Sequence, residues 1–249
     1  MEILIGIILI FVSASALAVI YLLWRGYKTA YTLLRQKPAT EYYNDVKARE
    51  NYFPLDNISE NLKTVIICME DFYFYEHHGF QLYRILGALY KNITHRKFLM
   101  GGSTITQQLA KNMYFPFKKT VKRKIAELFV ALHLEKEMSK DEILDLYLNI
   151  IYYGMDKYGI KDACSFYFGK SPETISVNEA VTLGSLLPAP TNYNPLNPNG
   201  LFVKARRIGL EKLKRRKALR AEDIEAINAS KYNDIIHIEL LRYVQKKGD

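Results

Sequence analysis

Two carboxylates and the stretch between them carry most of the chemistry available to this sequence. Glu70 and Asp71 follow the apolar run Val65-Ile66-Ile67-Cys68-Met69, so Glu70 sits on the edge of a buried helix face. Partial desolvation disfavours the charged form of such a group and suits it to general-base work near neutral pH. Taken alone, a glutamate at a helix end is more often a cap or a solvated charge. The following Phe74-Tyr75-Glu76-His77-His78-Gly79 adds titratable density without fixing a role. The second carboxylate, Glu127, shares a helical stretch with Ala131, Leu134 and Glu135, which turns its face inward.

Between them the chain is starved of acid. From His77 to Ala126, fifty residues, there is no Asp or Glu, while ten Lys or Arg residues are present. Within this zone lies Gly101-Gly102-Ser103-Thr104-Ile105-Thr106-Gln107-Gln108-Leu109-Ala110-Lys111-Asn112. A glycine pair lets a ligand approach the backbone, and a helix start offers unpaired N–H groups at the positive end of the dipole. Thr104 and Gln107 have the spacing of a capping box. Ser103, Thr104, Gln107 and Gln108 supply the neutral hydrogen bonds that sugars and phosphates need, and Lys111 follows two turns along. Next comes Lys118-Lys119-Thr120-Val121-Lys122-Arg123-Lys124. Cations at a helix N-terminus oppose the dipole, so their concentration there points to a compensating anion. A capped surface turn and a solvated basic helix are the plain alternatives. Taken together, a base at one end and cations for a departing group at the other suit transfer from a phosphate-type leaving group.

The elements that must position these groups are helices. Leu62, Val65, Ile66 and Met69 follow helical spacing behind Ser59, a good N-cap residue. Pro116 ends the segment opened by Thr104; Lys122–Met138 is a long amphipathic stretch; Ser139 with Glu142 has capping-box spacing before 143–151. Prolines 188, 190, 195 and 198 punctuate a loop, and 202–219 is a basic helix. No run sustains the alternation of a strand. The spacing predicts an all-α soluble part.

Ile3–Trp24 is an uncharged run of 22 residues, enough to cross a hydrocarbon core of roughly 30 Å at about 1.5 Å per residue. It lacks a basic leading region and a distinct small-residue cleavage site, so it reads as an uncleaved anchor. Arg25, Lys28, Arg35 and Lys37 follow it, which by the positive-inside rule keeps the body in the cytoplasm. Of the net charge of +9, most lies between Lys204 and Arg220, where nine basic residues face one acid, Glu211. Such zones point to an anionic partner: phosphate, nucleic acid or an acidic membrane surface. Cys68 and Cys164 belong to no metal or redox pattern and read as small buried hydrophobes. The expected organisation is a membrane anchor at 1–24, a polar connector at 25–49, a catalytic domain at 50–220 and a tail of unknown role at 221–249.

These motifs together resemble the family 51 glycosyltransferases, the glycan-polymerising domain of class A penicillin-binding proteins and their monofunctional relatives. Glu70-Asp71, Phe74, His77 and Gly79 match the first family motif, Gly101–Asn112 the second, and Arg123-Lys124 with Glu127 the third. Lys140, Ile143-Leu144, Tyr147-Leu148-Asn149, Tyr152 and Gly154 follow as the fourth, and Arg206-Arg207 looks like the last basic motif. The fifth motif is only partly present, and Cys164 and Gly184 stand where alanine is expected.

The resemblance implies an all-α, lysozyme-like domain behind a single N-terminal transmembrane helix, on the outer face of the cytoplasmic membrane. It implies that Glu70 takes the proton from the 4-hydroxyl of lipid II. That oxygen then attacks C1 of the growing lipid-linked glycan strand, with inversion and loss of undecaprenyl diphosphate. Glu127 is by the same reasoning the second catalytic carboxylate. Asp71, Ser103, Thr104, Gln107 and Gln108 would be substrate-binding, and Lys111, Lys119, Arg123 and Lys124 would hold diphosphate oxygens. A divalent cation, Mg or Mn, assists many members; its ligands here are unknown. Membrane and cell-wall synthesis proteins are the expected partners, and nucleic acid is not. No S-x-x-K or K-T-G occurs, so a penicillin-sensitive transpeptidase is not expected. Two other readings compete: a lysozyme-like glycan hydrolase, disfavoured because a neutral glycan needs no diphosphate site, and a non-catalytic scaffold for anionic lipid.

Overall fold

The structure, a computed structural model, describes residues 1–94, 102–115, 120–193, 195 and 200–229. Eleven α-helices form among them: α1 Glu2–Gln36, α2 Ala39–Lys47, α3 Glu60–Asp71, α4 Leu82–Thr94, α5 Ile105–Tyr114, α6 Val121–Glu137, α7 Lys140–Ile150, α8 Ile160–Phe168, α9 Val177–Leu186, α10 Gly200–Arg215 and α11 Ala221–Ala229. The described residues form no strand, only an isolated bridge between Tyr152 and Tyr158. The all-α expectation holds. The chain folds as two compact units, one of residues 1–42 and 78–139, the other of residues 43–77 and 140 onward.

In the first unit, α1 is both membrane-length and structural. Its apolar side chains from Ile3 to Trp24 are largely exposed, which a helix tolerates where lipid replaces water and all backbone groups bond within the segment. The Ser15 hydroxyl donates to the carbonyl of Phe11 at 2.7 Å, so this polar group too is satisfied inside the helix. The helix does not stop at the first charge. It continues through much of the connector and ends before Pro38, whose ring disfavours helical geometry at Lys37. Past Trp24 one stripe turns inward against α6. Gly26 is buried and Ala30 is only 2% exposed, and the Tyr27 ring meets Phe129 edge-on, with centroids 5.6 Å apart. A Cβ on Gly26 would lie 2.3 Å from Cγ2 of Ile125, so only glycine permits this approach. Helix α5 also packs on α6, and Ile105, Leu109 and Ala110 of α5 and Val130, Ala131 and Leu134 of α6 are buried. The Tyr114 hydroxyl then donates to the carbonyl of Lys37 at 2.8 Å, tying α5 to the end of α1.

In the second unit, α3 packs on α9 and α10. Ser59 caps α3 by accepting from the Leu62 N–H at 3.2 Å, as its position suggests. The α7 residues from Ile143 to Ile150 are all buried, including polar Asp145 and Asn149. The hydroxyls of Tyr43 and Tyr52 donate to the same Asp145 oxygen at 2.6 and 2.7 Å. Burial first, and then the Asp145 carboxylate, push both phenols well above their ordinary value. Asn149 brackets Phe53, accepting from its N–H at 2.9 Å and donating to its carbonyl at 3.0 Å. This part of the fourth motif therefore holds the entry segment of the second unit in place.

The α1–α6 contact gives a direct test. Gly26→Leu should destabilise the protein by about 1–3 kcal/mol, the usual cost of overpacking. Gly6→Leu, where a Cβ meets nothing within 4 Å, should be neutral. Thermal unfolding of the detergent-solubilised variants reads this out, and equal transitions would dismiss the contact.

Candidate active site

Glu70 and Asp71 are the last two residues of α3. Glu70 is half-buried, on the edge of the apolar face formed by Val65, Ile66 and Met69. Asp71 points the other way and is fully buried, with an oxygen 2.7 Å from Nε2 of His77. Lys140 fastens the turn between them: its ammonium donates to the His77 carbonyl at 2.6 Å and lies 4.6 Å from the centre of the Phe74 ring. Asp71 therefore shapes the turn behind Glu70.

The end of α3 carries a second support. The Lys212 ammonium donates to the Met69 carbonyl at 2.8 Å, and Arg216 donates to the Cys68 carbonyl. These are among the four carbonyls a helix leaves without internal partners at its C-terminus. The Arg216 guanidinium also covers Phe72, 4.7 Å from its ring centre. Helix α10 and the turn after it, read from the sequence as a basic run, thus deliver two cations four residues apart to the helix end that carries Glu70. The signal was present in the i, i+4 spacing of Lys212 and Arg216, though nothing in the sequence named their target. Met69 lies under Gly184 of α9 and Gly209 of α10, where a Cβ would fall 2.8 Å from its sulfur and 2.3 Å from its methyl group. An alanine at 184 would need only a shift of the flexible end of Met69. Tyr147 of α7 is fully buried; burial raises its phenol well above the ordinary value, and the nearby Glu70 and Asp71 carboxylates add to the shift. It is a donor that stays protonated.

In the first unit, the structure joins the second and third motifs. The Lys124 ammonium donates to the Ser103 hydroxyl at 2.8 Å and to a Glu127 oxygen at 2.9 Å. Arg123 Nε lies 2.9 Å from the other Glu127 oxygen, close enough for Coulomb attraction but without hydrogen-bond alignment. Glu127 is fully buried, as its helical spacing implied, while Lys124 remains half-exposed. A buried carboxylate is tolerated because opposite charges are brought to it. Thr104 and Gln107 form the reciprocal capping box, with both bonds 3.1 Å long. The Thr104 hydroxyl also donates to the Gly79 carbonyl at 2.6 Å, and Gly79 takes the left-handed φ of +90°. Both capping side chains are buried and build the turn that precedes α5. Ser103, Gln108 and Lys111 keep partly exposed surfaces. Lys119, Lys118 and Gly101 lie outside the described residues. Among the described residues, no group of three His, Cys, Asp or Glu side chains is placed to hold a metal ion.

The chain belongs to the transglycosylase family, whose pattern its residues 35–214 match. It is 38% identical over 203 residues to a monofunctional glycosyltransferase of Staphylococcus haemolyticus, covering 78% of this chain and 72% of that protein. It is 39% identical over 166 residues to the biosynthetic peptidoglycan transglycosylase of Nitrosospira multiformis, covering 67% and 72%. A third relative, penicillin-binding protein 1A/1B of Bacillus subtilis, is 40% identical over 168 residues; the match covers 67% of this chain but only 18% of that longer protein.

Removing the α3 end-caps should be felt twice. Replacing Lys212 and Arg216 by Met deletes two charge-assisted bonds, together about 2–4 kcal/mol. Denaturant unfolding should show that loss, and turnover should fall in the residual folded enzyme. Unchanged stability would mean the two bonds contribute nothing.

Proposed function

We propose that this chain is a peptidoglycan glycosyltransferase that polymerises lipid II into β-1,4-linked glycan for the cell wall, with Glu70 as general base. Family membership supports the reaction class. The observation that carries the residue assignment is the half-buried Glu70 at the end of a helix whose final turn is fastened by Lys212, Arg216 and the Asp71–His77 pair. Glu70 accepts the proton of the acceptor 4-hydroxyl as that oxygen bonds to C1 of the growing strand. The bond from C1 to the diphosphate oxygen breaks on the opposite face, which inverts the centre, and undecaprenyl diphosphate leaves with the electron pair. A base set by position and partial desolvation is typically worth about a hundredfold or more in rate.

The half-exposed Lys124, with Arg123, Lys111 and Lys119, receives the negative charge that develops on the diphosphate. Glu127 acts through these cations, holding Lys124 between itself and Ser103. Ser103 and Gln108 contact the substrate directly. The described residues offer no cage for a divalent cation, and no step of this scheme passes through one. Other proteins of cell-wall synthesis are proposed partners.

The body is proposed to lie on the outer face of the cytoplasmic membrane, anchored by α1. The basic residues after the span favour the opposite orientation, but that bias is weak for large domains, which translocate largely regardless of charge. The reaction decides, because glycan polymerisation takes place outside the permeability barrier.

Two experiments test this reading. Glu70→Gln keeps the shape of the side chain and removes proton acceptance, so conversion of labelled lipid II to polymer should drop about a hundredfold or more while lipid II binding survives. Wild-type turnover by the variant would take Glu70 out of the mechanism. Protease added to intact spheroplasts should digest the body; digestion only after lysis would place it in the cytoplasm.

A further inference from the structure

Where α1 leaves its apolar stretch and docks on α6, a cavity of about 380 Å³ opens between the two helices. Arg25, Lys28, Thr29 and Thr32 of α1 line it beside Trp24, and Lys122 of α6 closes it. Among the described residues lining it are three cations and no carboxylate. We propose that this cavity binds the phosphate headgroup of an anionic phospholipid, and so fixes the first unit against the membrane surface. The inference rests on α1 spanning the membrane.

Depth supports the assignment. The uncharged run ends at Trp24, and Arg25 and Lys28 follow within about 6 Å along the helix at about 1.5 Å per residue. The headgroup layer of a bilayer leaflet is itself roughly 5–8 Å thick. Both side chains lean back toward the span: Arg25 donates to the Tyr21 hydroxyl at 2.9 Å, and the Lys28 ammonium lies 5.5 Å from the Trp24 ring. Tyr and Trp at this level belong to the interfacial belt of a membrane helix. The Thr29 and Thr32 hydroxyls donate to the Arg25 and Lys28 carbonyls at 2.8 and 2.9 Å, so they present lone pairs that can accept from a headgroup hydroxyl, and the phosphate contacts fall to the three cations. A cavity of this size holds a headgroup, and its cations attract anionic lipid at the membrane surface.

The site is distinct from the diphosphate cations. Lys122 lies three and seven residues before Ile125 and Phe129, the residues that meet Gly26 and Tyr27, so it belongs to the α1-facing side of α6. Glu127 is five residues from Lys122, on another face of the helix, with Arg123 and Lys124 bound to it.

The test uses the full chain in phosphatidylcholine nanodiscs containing a minor fraction of phosphatidylglycerol, released into native mass spectrometry. The wild type should retain one phosphatidylglycerol. The variant Arg25→Gln/Lys28→Gln/Lys122→Gln should retain none, and Thr29→Phe, which fills the cavity without changing charge, should also retain none. Arg35→Gln/Lys37→Gln/Lys47→Gln, with the same loss of charge, should keep the lipid. Retention by the first two variants, or loss from the third, would reduce the binding to diffuse surface charge and overturn the proposal. Displacement by inorganic phosphate would overturn the lipid source, and displacement by lipid II would return the cavity to the substrate. Alkaline carbonate should leave the protein in the membrane. Its release would remove the span and this inference with it, whereas firm anchoring with equal lipid retention in all variants would remove the inference alone.

Discussion

The first unit is organised around one buried charge. Glu127 is fully buried on α6, and an uncompensated carboxylate there would cost several kcal/mol. Its helix supplies both remedies, Arg123 one turn earlier and Lys124 at i−3. Once Lys124 is committed to Glu127, its reach to Ser103 fixes the turn that precedes α5. That turn is then closed by Thr104, Gln107 and the Gly79 carbonyl. Replacing Glu127 by an apolar residue would free both cations and loosen the loop, whatever it did to chemistry. The cations sit near the N-terminus of α6, where the dipole opposes them. The carboxylate offsets that cost, so the basic cluster and the buried acid explain each other.

In the second unit the problem has the opposite sign. Glu70 and Asp71 stand at the C-terminal end of α3, where exposed carbonyls make negative charge unfavourable. Asp71 is relieved by His77, and the carbonyls of Cys68 and Met69 by Arg216 and Lys212. Glu70, only half-buried, is held in position by neighbours that are themselves fully engaged. A reactive group is useful when the residues around it are themselves locked.

Much of this was legible in the sequence because it is local. The Ser59 cap, the Thr104–Gln107 box and the inward face of Glu127 all follow from spacings of three or four residues, where helical geometry dictates who meets whom. What was missed is long-range. Asp71 and His77 are six apart across a turn, a separation that no helix brings together. Lys212 is 143 residues from the carbonyl it serves, and inside a charge run it looks like any solvated lysine. Asn149, in the fourth motif, is bonded to the Phe53 backbone, 96 residues away. Thr104 and Gln107 spend hydrogen bonds on the capping box, as their spacing of three implies.

The positive charge of the chain is therefore not one surface. Arg123 and Lys124 neutralise a buried acid; Lys212 and Arg216 terminate a helix; Arg25, Lys28 and Lys122 line a cavity at the end of the membrane-length run. These environments respond differently to salt. Screening acts on exposed charges beyond a Debye length of roughly 8–10 Å and hardly reaches hydrogen-bonded pairs at about 3 Å. Ionic strength should accordingly weaken attraction to an anionic membrane well before it loosens the Glu127 cluster or the end of α3. Membrane engagement and the integrity of the catalytic helices are then separable in a single salt titration, although both are built from the same two residue types.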